Sequence, residues 1–96
     1  MKDTIYLSTL FDYYGELLTD KQNEYFKDYY FDNLTLSEIS ENNDVSRNAV
    51  HKAIKEAEEK LLFYEEKLNL VKKSEKIKKI INKLDDGIKN EIYKLI

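Results

Sequence analysis

Ninety-six residues with no cysteine, no proline and a single histidine set narrow bounds: one domain, no disulfide framework, no thiol chemistry and no evident metal site. Charged residues make up 36% of the chain and the formal net charge is −3, while no apolar run reaches the roughly 18 residues of a membrane span. The amino terminus MKDTIYLSTL lacks a signal-peptide pattern, so a cytoplasmic protein is expected; no nucleophile with its base and no phosphate loop stands out, so neither an enzyme nor a cofactor is expected.

Two glycines amid abundant Leu, Ile, Lys and Glu predict an all-α chain of five or six helices. The first is expected over about residues 4–18, burying Ile5, Leu7, Leu10, Phe11, Tyr14 and Leu17 or Leu18. Gly15 within it costs about 1 kcal/mol relative to Ala, which suggests a close approach by another helix. Thr19 and Gln22 have the spacing of a capping box that opens a second helix from Asp20 to about Phe31. Tyr25, Phe26, Tyr29 and Tyr30 lie along it at helical spacing, which reads as core rather than as platforms for stacked bases. Asp32 and Asn33 end it.

A second capping box, Thr35 with Glu38, opens a third helix with Leu36 and Ile39 facing inward. Asn42, Asn43 and Asp44 tolerate left-handed backbone and force a turn; Val45 is expected to plug the corner and Ser46 to cap the next helix. Ala49, Val50, Ala53, Ile54, Ala57 and Leu61 then form a buried stripe. Residues 35–61 thus spell a helix-turn-helix motif, within a domain expected over 1–70.

Helical pattern continues beyond Leu61, with Asn69 and Ser74 as weak interruptions, and predicts one helix of about 38 residues or one broken near Ser74. Residues 71–96 read as a helical C-terminal extension, with Gly87 as a stop after which the last segment folds back. Ile77, Ile81, Leu84, Ile88, Ile92 and Leu95 recur at intervals of three and four, a stripe that an isolated helix cannot bury. It calls for the N-terminal helices of the same chain or for a second chain, and a homodimer through the C-terminal helices is expected.

The motif leaves Arg47, Asn48, His51, Lys52 and Lys55 on the outer face of its second helix. In proteins that read DNA this helix enters the major groove by its N-terminal end, where the helix dipole favours phosphate. Arg pairs with guanine and Asn with adenine through double hydrogen bonds to the exposed base edges. The candidate nucleic-acid-binding residues are therefore Ser46, Arg47, Asn48, His51, Lys52 and Lys55.

Charge complicates that assignment. Residues 1–45 carry a balance of minus seven, residues 46–71 of zero and residues 72–96 of plus four. Duplex binders usually present a clear basic face, because phosphate neutralisation supplies most non-specific affinity. Asp28, Asp32, Glu38 and Glu41 would flank the groove, and Glu56, Glu58 and Glu59 dilute the later turns of the recognition helix. Contact with nucleic acid is expected to be narrow, weak or aided by the Lys-rich tail.

The segments LFDYYGELLTDKQ (10–22), YYFDNLTLSEIS (29–40) and VSRNAVHKAIKEAEEKLLFYEEKL (45–68) resemble the YlxM family of small bacterial helix-turn-helix proteins. That family is similar to the promoter-reading C-terminal module of sigma factors, so the resemblance implies a sigma-region-4-like fold. Genes of the family commonly neighbour those for the signal recognition particle GTPase and its receptor. The resemblance therefore implies an accessory or regulatory role in that protein-targeting pathway, with the GTPase or the particle's RNA as candidate partners. Compared with the family pattern, Ser40 replaces a small Ala and Asp44 the turn glycine; Glu56 replaces a frequent basic residue and Lys52 a common acidic one. These exchanges move positive charge toward the front of the recognition helix. Two readings remain: a helix-turn-helix that binds DNA or RNA, or a sigma-like fold reused for protein contact or transcriptional regulation.

Overall fold

The computed structural model describes residues 3–96, which form helices and turns with no strand among them. Helices α1 (Thr4–Tyr14), α2 (Asp20–Tyr30), α3 (Leu36–Asn43), α4 (Arg47–Leu68), α5 (Leu70–Ile81) and α6 (Asp86–Tyr93) follow in order, with a short 3-10 turn at Gly15–Leu17.

The helix starts follow the local chemistry of the sequence. Both capping boxes form: Thr19 accepts from the Gln22 N–H while the Gln22 side chain accepts from the Thr19 N–H, and Thr35 and Glu38 do the same. Ser46 Oγ accepts from the Ala49 N–H at 3.0 Å and opens α4. Asp44 takes the left-handed conformation at φ 53°, and the Val45 N–H donates to the Ser40 carbonyl, closing α3 in the six-residue manner of a Schellman turn. Val45 contributes that N–H rather than a plug, because its side chain is left exposed.

Helix α4 is the spine, with α1, α2 and α3 laid along its buried face. Toward its N-terminal end, Val50 and Ile54 pack with Ile39 and Tyr25; further along, Ala57 and Leu61 pack with Leu7, Leu10, Tyr14, Leu18, Phe26 and Val71. Phe11 stacks flat on Phe26, with centroids 4.8 Å apart.

Other expectations need correction as well. First, α1 ends at Tyr14: Leu7, Leu10 and Tyr14 are buried on it and Phe11 half-buried, Leu18 is buried beyond it, and Ile5 is 81% exposed and Leu17 52%. The 3-10 turn rotates the chain so that Leu18, not Leu17, points inward. Gly15 accommodates the ring of Phe11, 3.0 Å from where a Cβ would stand, and its carbonyl accepts from Asn23 Nδ2 of α2 at 2.9 Å. Second, Ala49 is exposed, so the α4 stripe begins at Val50.

Third, the long helix breaks at Asn69, in left-handed backbone at φ 55°, and not near Ser74, which is buried inside α5. Fourth, Gly87 lies in the first turn of α6 and stops nothing, because Asp85 accepts from the Ile88 N–H at 3.0 Å and starts a helix there. Of the C-terminal stripe only Ile81 is buried; Ile77, Leu84, Ile88 and Leu95 remain exposed and Ile92 half-buried. The radius of gyration, 16.7 Å against the roughly 13 Å of a compact 100-residue domain, reflects this projecting end.

The break is held by a buried clasp. Glu65, one turn before Asn69, accepts from the N–H groups of Val71 (3.1 Å) and Lys72 (3.2 Å), so a carboxylate from the end of α4 caps α5. Tyr14 donates its hydroxyl to the same carboxylate at 2.6 Å and accepts from the Leu70 N–H at 3.1 Å. Burial pushes the Glu65 carboxyl up, but the bonds from Tyr14, Val71 and Lys72 outweigh it and hold the group below its ordinary value. Burial and then the bond to Glu65 push the Tyr14 phenol up.

Candidate nucleic-acid interface

All six side chains proposed from sequence lie at the front of α4, and all are exposed. Ser46 is engaged as the cap. Arg47, His51 and Lys55 recur every fourth residue and form one row, with a rise of about 6 Å per step. Asn48 and Lys52 form the neighbouring row. The helix N-terminus adds a partial positive charge where Arg47 and Asn48 sit.

The acids behind this face are turned to other uses. Glu58 is buried, and its carboxylate accepts from the Tyr30 hydroxyl. Burial, followed by this bond, raises the Tyr30 phenol far above its ordinary value. Glu56 accepts from Gln22 Nε2 at 3.3 Å, and Lys60 Nζ donates to Gln22 Oε1 at 3.0 Å. Lys52 reaches Glu56 at 4.0 Å with the Lys52 side chain largely and the Glu56 side chain about half in water, a pair that contributes little. Of the three acids expected to dilute the later turns, only Glu59 stands fully exposed on the helix surface.

On the flanking helices, Glu38 is folded back onto the Thr35 N–H at 3.1 Å. Asp28 is half-buried; burial, with help from Glu24 and Asp32, pushes its carboxyl up. The carboxylates of Glu38, Glu56 and Glu58 are thus held by hydrogen bonds to their neighbours. Sequence periodicity carried a signal for Glu58, which falls four residues after Ile54 and three before Leu61, on the buried stripe.

A feature not foreseen is a cleft of about 320 Å³ beside the Arg47 row, lined by Tyr29, Tyr30, Leu36, His51, Lys55 and Glu58 among others. An adjoining hollow shares Tyr29, Tyr30 and Leu36 and extends to Arg47. Tyr29 and Tyr30 meet at 88° with centroids 5.1 Å apart, so two rings form a corner. Among the described residues no group of three His, Cys, Asp or Glu side chains is placed to hold a metal ion, and no helix is long and apolar enough to cross a membrane.

The model of the UPF0122 family, described as "Putative helix-turn-helix protein, YlxM / p13 like", matches residues 1–95. The chain belongs to this family. A UPF0122 protein of Caldanaerobacter subterraneus subsp. tengcongensis is 51% identical over 86 residues, covering 90% of this chain and 74% of the relative. One from Thermoanaerobacter sp. (strain X514) is 46% identical with the same coverage. The UPF0122 protein YlxM of Bacillus subtilis is 45% identical, covering 90% of this chain and 78% of the relative. The resemblance first carried by three segments therefore extends through the C-terminal helices as well.

Proposed function

We propose that this chain is a non-enzymatic nucleic-acid-binding protein that engages DNA or RNA with the front of α4. The observation that carries this reading is the exposure of Arg47, Asn48, His51, Lys52 and Lys55 on consecutive turns, while Glu56 and Glu58 behind them are tied to Gln22 and Tyr30. Arg47 and Lys55 would neutralise phosphate; Asn48, His51 and Lys52 would approach base edges. The sigma-like resemblance supports the same face. On the family resemblance, the role proposed is an accessory or regulatory one in the signal recognition particle pathway, with the particle's RNA as the first ligand to try. The test is binding of the purified protein to that RNA, to random duplex DNA and to the particle's GTPase, each with wild type and with Arg47→Ala/Lys52→Ala. Salt-sensitive binding to a nucleic acid that the double variant loses supports the reading; binding to the GTPase alone, insensitive to the variant, overturns it in favour of protein contact.

A homodimer through the C-terminal helices is proposed on a separate observation, the exposure of Ile77, Ile80, Leu84 and Ile88 on α5, the following turn and α6. Solution mass of wild type against Ile80→Asp/Ile88→Asp tests it. A wild-type monomer would rule it out, and so would a variant that stays dimeric.

A further inference from the structure

The cleft beside α4 has the chemistry of a site for one unpaired nucleotide. We propose that it receives a single extruded base of an RNA strand whose phosphates lie on Arg47 and Lys55, an inference that rests on the nucleic-acid reading of α4 and names its ligand. Three observations carry it. The rings of Tyr29 and Tyr30 stand at 88°, so a flat base can lie on one face with its edge toward the other ring. The corner is rigid, because Tyr30 packs on the buried Phe26 at 4.5 Å between centroids and its hydroxyl is held by Glu58. Tyr29 remains 37% exposed, which leaves it open to a ligand.

Charge selects the same occupant. Lys55 lines the cleft and Arg47 the adjoining hollow, so two cations stand along one wall while aromatic rings form the other. This is the pairing by which single-stranded nucleic acid is bound: phosphate on cations, base on a ring. Glu24 and Asp28 on α2 and Asp32 just past its end lie close enough to act on one another, and this negative charge disfavours a long run of phosphates along that side. A volume of about 320 Å³ suits a nucleoside and is far too small for a helix. Thr4 and His51, also on the cleft wall, offer polar atoms to a ribose 2′-hydroxyl, the group that separates RNA from DNA.

The test uses the full chain and a set of RNA hairpins, one fully paired and four with one unpaired A, C, G or U, together with the DNA counterparts. Binding is followed by fluorescence anisotropy at fixed salt for wild type and Tyr29→Ala, whose melting curves establish that both are folded. The expected result is that at least one bulged RNA binds roughly 5- to 150-fold more tightly than the paired hairpin, the range that stacking of a base on an aromatic ring supplies. Tyr29→Ala should remove that preference and leave affinity for the paired hairpin unchanged. Equal binding of paired and bulged RNA, or a preference that survives Tyr29→Ala, overturns the proposal while leaving the α4 reading intact. Equal preference for bulged DNA overturns the ribose assignment. Absence of salt-sensitive binding to every hairpin overturns both.

Discussion

Replacing Tyr14 by Phe removes one oxygen and no packing, so it isolates the clasp that joins α1 to the α4–α5 break. The lost hydroxyl donates to Glu65 at 2.6 Å and accepts from the Leu70 N–H at 3.1 Å. A hydrogen bond to a charged group contributes about 1.5–3 kcal/mol net, and the stranded Leu70 N–H adds part of a further desolvation penalty. A loss of about 2–3 kcal/mol is expected, which for a domain of this size lowers Tm by roughly 10–20 °C. Urea titration should show a lower midpoint and an unchanged slope. The clasp also carries a pH signature. Glu65 has a folded pKa below its unfolded value, so its contribution is complete above the ordinary range of about 4.3 and is lost as pH falls through the depressed folded value. Asp28, with a raised carboxyl, acts in the opposite sense, but it is common to wild type and variant. The stability difference between wild type and Glu65→Gln should therefore shrink as pH falls below about 4.5. A Tyr14→Phe loss under about 0.5 kcal/mol, or a stability difference between wild type and Glu65→Gln that does not change between pH 3 and 6, would refute the clasp as a stabilising element.

Gly15→Ala should destabilise the fold by about 1–3 kcal/mol despite the better helix propensity of Ala, because the new methyl meets the Phe11 ring at 3.0 Å and that ring is stacked on Phe26; thermal melting decides the sign. Asn69→Ala should cost about 1 kcal/mol for left-handed backbone at φ 55°, with Asn69→Gly close to neutral, as read by chemical denaturation. Thr35→Ala should cost about 1 kcal/mol through loss of the α3 capping box, with no change in the exposure of the α4 face.

What was legible in the sequence was local. Capping at Thr19, Thr35 and Ser46 and the turn at Asp44 depend on residues within a few positions, and the period of α4 placed Arg47, Asn48, His51, Lys52 and Lys55 outside. What was not legible depended on distant partners. Asn69 holds the break because Glu65 and Tyr14 stabilise it, and Tyr14 lies 51 residues from Glu65. Glu58 counted as a surface acid until Tyr30, 28 residues earlier, gave it a buried donor. The cleft draws on α1, α2, α3 and α4 at once, so no single periodicity could reveal it. Tyr29 and Tyr30 were read as core, and the structure divides them: Tyr30 half-buried beneath, Tyr29 open above.

The most direct test of the central claim is the slope of log K against log salt for RNA binding by wild type and by Arg47→Ala/Lys55→Ala. Each phosphate contact contributes about 0.7 to that slope on a single strand and about 0.9 on a duplex. Loss of two contacts should flatten it by roughly 1.4–1.8 and weaken binding at every salt concentration. An unchanged slope with unchanged affinity would mean that the front of α4 does not meet phosphate, contradicting the account.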